Sequence, residues 1–114
     1  MVIPPLVAVI ETPLFVARTR KLMSNDEREE LIAYLSRNPT AGDIVPGAGG
    51  VRKLRWALEG RGKSGGARII YFFHSVDVPL FALTAFPKNE RSDLSQEERN
   101  DFRRLVKVLV EPFL

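Results

Sequence analysis

Lys53, Arg55 and Arg68 are the residues of this chain whose types and spacing best suit chemistry. They lie within "GGVRKLRWALEGRGKSGGARIIYFFH", Gly49 to His74, which carries six basic residues and one acid. Arginine offers a planar fork that matches phosphate oxygens, and lysine is a point charge that can give up its proton. Gathering cations gains a fold nothing, because they repel; a phosphate between them removes that cost. The pattern therefore points to a polyanion, nucleic acid first. Lys53 is the candidate general base, with Arg55 and Arg68 beside it as fixed positive charges. The bland alternative is a solvated sheet face followed by a loose "EGRGKSGG" loop.

Other chemistries have less to stand on. There is no cysteine, so neither a disulfide framework nor a thiolate nucleophile exists. His74 is the only histidine, which excludes a two-histidine ribonuclease pair. No cluster of metal-ligating types is visible, and no metal or cofactor is expected. "GRGKSGG" fails the spacing of a phosphate loop, and a strand rather than a helix follows it. Glu97, Glu98 and Asp101 read as helix capping and a wet face, not as a hydrolase carboxylate pair. Trp56, Tyr71, Phe72 and Phe73 offer stacking surfaces, although most such residues serve the core.

These cations must be held by a scaffold, and 114 residues suit one domain, taken here as 1–114. Net charge is +3, yet the segment from Val51 to Ile70 alone is +5, so the rest is acidic on balance. Leu6 to Glu11 reads as a short strand. Thr12-Pro13 starts a helix with a capping hydroxyl and an N1 proline. Ser24-Asn25-Asp26-Glu27 is a capping box that opens a second helix, which ends at Asn38-Pro39. The tight joint predicts an antiparallel helical hairpin. Thr40 to Gly50 reads as loop, followed by strands at Val51–Leu58, Ala67–Ser75 and Leu80–Phe86. Ser95-Gln96-Glu97-Glu98 opens a final helix with the stripe Phe102, Leu105, Val106 and Leu109, and Pro112 stops it. The order β-α-α-β-β-β-α predicts an α+β domain: an antiparallel sheet with its helices on one side. If Leu58 pairs with Ala67, Arg55 lies opposite Ile70, and Lys53, Arg55 and Arg68 share a face; a slip of one residue would separate them. The apolar start "VIPPLVAVI" lacks a basic lead and is too short to span a bilayer, which predicts a soluble, cytoplasmic protein without membrane contact.

Two longer patterns carry a resemblance. "PTAGDIVPGAGGVRKLRWALEGRGKSGGARIIYFFH", followed by "FPKNERSDLSQEE", resembles the HigB branch of the RelE/ParE toxin superfamily, across most of the chain from Thr12 into the last helix. The resemblance implies a RelE-like fold and a toxin of a toxin–antitoxin pair. It further implies a ribosome-dependent mRNA interferase, in which the RNA 2′-hydroxyl attacks the adjacent phosphate in the A site. Lys53, Arg55, Arg68 and Lys88 match the family's basic catalytic positions: Lys53 as base, Arg55 and Arg68 as stabilisers of the charged phosphorane. Arg52, Arg61, Lys63 and Asn89 are then expected to contact RNA. Implied partners are the ribosome and mRNA, a helix-turn-helix antitoxin, and operator DNA for the antitoxin complex. The alternative is a non-cleaving protein of the same fold, gyrase-directed or catalytically decayed. Asn89 stands where RelE has an arginine, Ser95 where RelE has its catalytic tyrosine, and Phe86 where HigB-like members often have tyrosine.

Overall fold

The computed structural model describes residues 6–58 and 66–114. Three α-helices and five strands follow in the order β1 (Val9–Glu11), α1 (Pro13–Leu22), α2 (Asn25–Arg37), β2 (Asp43–Ile44), β3 (Val51–Trp56), β4 (Ala67–Phe72), β5 (Leu80–Pro87) and α3 (Gln96–Val110). A 3-10 turn, Glu111–Phe113, follows α3 and carries Pro112.

The helix starts follow local chemistry. Thr12 accepts the Phe15 amide at the head of α1, and its hydroxyl donates to the Leu83 carbonyl of β5 at 3.0 Å. One threonine thus caps a helix and fixes it to the sheet. Ser24 with Glu27, and Ser95 with Glu98, close reciprocal capping boxes at α2 and α3. Met23 and Ser24 are both extended, which turns the chain sharply between α1 and α2. Each of the two helices packs on the sheet, α1 along β5 and α2 against β1. This differs from the expected closed hairpin, because Phe15, Leu22, Leu31 and Leu35 all feed one sheet-facing core.

The sheet order is β1-β5-β4-β3-β2. β5, β4, β3 and β2 are antiparallel in turn, but β1 runs parallel to β5, with Val9 opposite Leu80. The sheet is therefore mixed, not purely antiparallel. The helical excursion between β1 and the rest lets the first strand return to the far edge in the parallel sense. β2 lies inside the segment that reads as loop: two residues are too few for any periodicity, and only pairing with Lys53 and Arg52 makes them a strand.

The helices cover both faces of the sheet, not one. Leu54, Ile69, Tyr71 and Ala82 face the α1–α2 core, while Val51, Ile70, Phe72 and Leu83 join Phe102, Val106 and Val110 of α3 on the other side. β4 shows the reason, for all six of its residues are buried. A strand without a wet side needs cover on both faces. A register shift at Ile70/Tyr71 lets β5 place Leu83 in the α3-side core while Thr84 still pairs with Ile70.

Candidate RNA-binding cleft

β3 reads Val-Arg-Lys-Leu-Arg-Trp, and alternation splits its charges between the faces. Val51 and Leu54 belong to opposite cores, so Lys53 and Arg55 project on the α3 side and Arg52 on the helical-pair side. The β3–β4 register places Arg55 directly opposite Arg68 and Lys53 opposite Ile70. That is two residues from the register expected from the sequence, an even slip, so facing is preserved. Lys53, Arg55 and Arg68 share one face. Like charges directly opposite on a sheet are destabilising. Such a pair makes sense where a third, negative group is to come between or beside them.

The three cations differ in setting. Arg68 is only 8% exposed and is flanked on β5 by Phe86. Arg55 is exposed and, among the described residues, makes no hydrogen bond or ion pair. Lys53 is held: its ammonium donates to the Ser92 carbonyl at 3.2 Å and lies 3.3 Å from an Asp93 carboxylate oxygen. The sequence suggested a lysine pressed by cations. The structure gives it an anionic neighbour from the loop between β5 and α3.

Lys53 and Arg55 line a cleft of about 150 Å³ with Asp43, Ile44, Val45, Pro46 and Asp93. β2 and the turn after it form one wall, and the loop before α3 forms the other. Tyr71 fixes the first wall. Its hydroxyl is buried under the sheet and accepts the Gly42 amide at 2.8 Å; burial pushes the phenol's pKa up, against the opposing effect of that hydrogen bond. Gly42 must be glycine in this geometry, because a Cβ there would stand 2.9 Å from the tyrosine ring. Arg52 braces the same segment, donating to the Gly42 carbonyl at 2.8 Å and to that of Thr40 at 3.3 Å.

The second wall is tied down by charge. Burial works to raise the Asp93 pKa, but the Leu94 amide, Lys53 and Arg99 together bring the carboxyl below its ordinary value. Arg91 forms a two-pronged pair with Glu98 on α3, and its guanidinium lies 4.4 Å from the centre of the Phe86 ring. That pair, with help from Ser95, holds the Glu98 carboxyl at about 2.

Of the remaining candidates, those among the described residues lie apart from the cleft. Arg52 is on the opposite face, engaged as described. Lys88 and Asn89 are exposed in the turn after β5, with the Lys88 amide bonded to the Gly66 carbonyl at 2.9 Å. Arg61 and Lys63 fall outside the described residues. Ser95 is spent as the α3 cap, and His74 is an exposed residue stacked on Phe72. Asp93, Arg91 and Arg99 were not legible as site residues. The segment around them reads as irregular, and their partners lie far off in sequence. A larger concavity, about 460 Å³ between β1 and α2, carries none of the cations of the cleft. Among the described residues there is no cluster of three or more metal-ligating side chains and no helix long and apolar enough to cross a membrane.

Residues 14–112 match the family model described as the RelE toxin of the RelE/RelB toxin–antitoxin system. The chain belongs to the RelE toxin family. The match runs from the first turn of α1 to the 3-10 turn and so takes in every cleft residue. A RelE-family toxin is one half of a toxin–antitoxin pair, so an antitoxin is implied as its partner. The mixed α+β architecture, three helices on a five-stranded sheet, is consistent with that membership.

Proposed function

We propose that this RelE-family toxin is a HigB-type, ribosome-dependent mRNA interferase that acts in the cytoplasm. The observation that carries the reading is the cationic cleft: Lys53 and Arg55 in it, Arg68 facing Arg55 across the strands, in a chain whose one histidine rules out a histidine pair. Cleavage by the RNA's own 2′-hydroxyl needs no water nucleophile and no metal. It needs a group to take the 2′-hydroxyl proton, fixed positive charge where the phosphorane gathers negative charge, and a proton, from a side chain or water, for the departing 5′-oxygen. Lys53 takes the first role. Arg55, exposed and without a partner among the described residues, takes the second at the cleft, with Arg68 behind it. Lys88 joins as a further cation at the end of β5, and Asn89, Arg61 and Lys63 contact RNA. Arg52 serves by bracing the β2 wall. The antitoxin is of the helix-turn-helix kind, and its complex with the toxin binds operator DNA.

The test is primer extension on mRNA in a reconstituted translation reaction. Wild type cuts mRNA only when ribosomes translate it. Lys53→Ala and Arg68→Met each lower the cleavage rate by about a hundredfold or more, the size expected for loss of a base or of an electrostatic stabiliser. Methionine is chosen at Arg68 because the site is buried and the volume must stay filled. Cleavage of naked mRNA at the same rate, or full activity in both variants, contradicts the proposal.

A second reading has one specific observation behind it. The Ser95 hydroxyl accepts the Glu98 amide at 3.1 Å as the helix cap, and Asn89 is exposed in a turn, so neither supplies a proton donor in the cleft. A toxin without a donor would occupy the ribosome, or another target such as gyrase, without cutting. Unchanged mRNA with arrested translation identifies the first case, and altered DNA supercoiling the second.

A further inference from the structure

Lys53 and the loop that holds its two acceptors come from distant parts of the chain, and an arginine on α3 ties that loop to the opposite wall of the cleft. The guanidinium of Arg99 uses all three of its nitrogens. Nε donates to the Leu94 carbonyl at 3.3 Å, one terminal nitrogen to the Pro46 carbonyl at 3.2 Å, and the other lies 3.2 Å from Asp93 Oδ2. Pro46 belongs to the β2 wall of the cleft and Asp93 to the opposite wall. The oxygen of Asp93 that meets Arg99 is also the one that meets Lys53, 3.3 Å away. The other Asp93 oxygen accepts the Leu94 amide at 2.8 Å. The carboxylate is thus gripped at both oxygens, and the lysine is tethered to a fixed point rather than to a mobile side chain.

We propose that Arg99 is a positioning residue, which acts through Asp93 to hold Lys53 Nζ over the cleft and ties the two cleft walls at a set distance. The proposal rests on the reading of Lys53 as the reacting group. Lysine is a flexible four-carbon stem, whereas arginine is a pre-organised fork that can satisfy several acceptors at once. A reacting group displaced by about 1 Å can lose roughly a hundredfold in rate. Arg99 is poorly placed to be an RNA grip. Its side chain is only 22% exposed, and its three nitrogens already face protein acceptors. Its neighbour Arg103 repeats half of the device, donating to the Gly47 carbonyl at 2.9 Å, but among the described residues it has no link to Lys53.

The experiment compares Arg99→Gln, Arg99→Lys and Asp93→Asn in the intact toxin, in single-turnover cleavage on programmed ribosomes. The expected result is a fall of about ten- to a hundredfold in the maximal rate for Arg99→Gln and Asp93→Asn, with the half-saturating ribosome concentration within about twofold of wild type. Arg99→Lys does not restore the rate, because one ammonium cannot span three acceptors. In a Lys53→Ala background Arg99→Gln costs no more than about threefold, because only the wall tie is left to lose. A raised half-saturating concentration with an unchanged maximal rate would overturn the proposal in favour of an RNA contact. A full additional loss on top of Lys53→Ala would overturn it in favour of a general structural role. A second readout needs no activity: the Lys53 ammonium resonance, followed by nitrogen-15 NMR, is slowed in proton exchange in wild type and loses that protection in Arg99→Gln. If wild type cleaves nothing, the interferase reading falls, and this resonance alone decides the tether. Equal protection in wild type and variant overturns it.

Discussion

Replacing Glu98 by glutamine keeps the size and shape of the side chain but removes its charge, and the structure says how much that should cost. Glu98 accepts two bonds from Arg91, one of them at 2.9 Å, and the Ser95 amide at 2.9 Å. The Arg91 pair comes first among the causes that bring its carboxyl from 4.5 to about 2. Taken whole, that displacement corresponds to roughly 3 kcal/mol of stability. The side chains are 37% and 31% exposed, so solvent screens the pair, and about 1–2 kcal/mol is the working figure. The carboxyl is held below its ordinary value in the folded state. Its contribution is therefore fully present above about pH 4.5 and is lost as the pH falls through about 2. Near pH 3 less than half of it remains. Urea midpoints for wild type and Glu98→Gln should differ by that 1–2 kcal/mol at pH 6. The gap should shrink by more than half at pH 3. Glutamine can still accept the Ser95 amide, so the helix cap is not the source of the difference. A gap that is the same at pH 3 and pH 6, or absent at pH 6, would refute the claim that an ion pair ties this loop to α3.

Two further outcomes follow from the walls and the cations of the cleft. Tyr71→Phe leaves the buried Gly42 amide without its acceptor and should cost about 1–3 kcal/mol in urea denaturation; an unchanged midpoint would mean that water replaces the hydroxyl. Arg55→Gln removes an exposed cation and should weaken RNA binding while reducing the salt dependence by about one released counterion, measured as the slope of log affinity against log salt. An unchanged slope would place RNA away from the cleft.

The parts of this fold that could be read from sequence are those set by neighbours in the chain. Thr12-Pro13 and the two Ser-x-x-Glu boxes mark helix starts because a cap is satisfied within four residues. The shared face of Lys53, Arg55 and Arg68 tolerated a wrong register because parity, not exact pairing, decides facing. What could not be read depends on distant partners. The parallel β1–β5 pair joins residues some 70 positions apart, and the two-residue β2 exists only by pairing with β3. Helices were expected on one side, yet the fully buried β4 requires both faces covered, a property of the assembled sheet. Asp93 was hidden for the same reason: nothing near it in sequence says that its charge will rest on Lys53.

The cleft consequently has two halves of different character. Lys53, Arg55 and Arg68 stand on central strands whose positions are set by the whole core. Asp93 and Ser92 stand on a loop held by side-chain ties: Arg91 to Glu98, and Arg99 to Asp93, Leu94 and Pro46. Removing a strand cation subtracts charge from a rigid frame, and its effect should be local. Removing a tie leaves every strand cation in place but frees the partner that orients Lys53. Lesions in Arg91, Glu98, Arg99 and Asp93 should therefore overlap, each costing less when another is already present, because they act on one loop and through one lysine. Any of them combined with Arg55→Gln should multiply, since Arg55 has no partner on that loop among the described residues. That difference in coupling separates a site assembled by a tethered loop from a basic surface in which each charge acts alone.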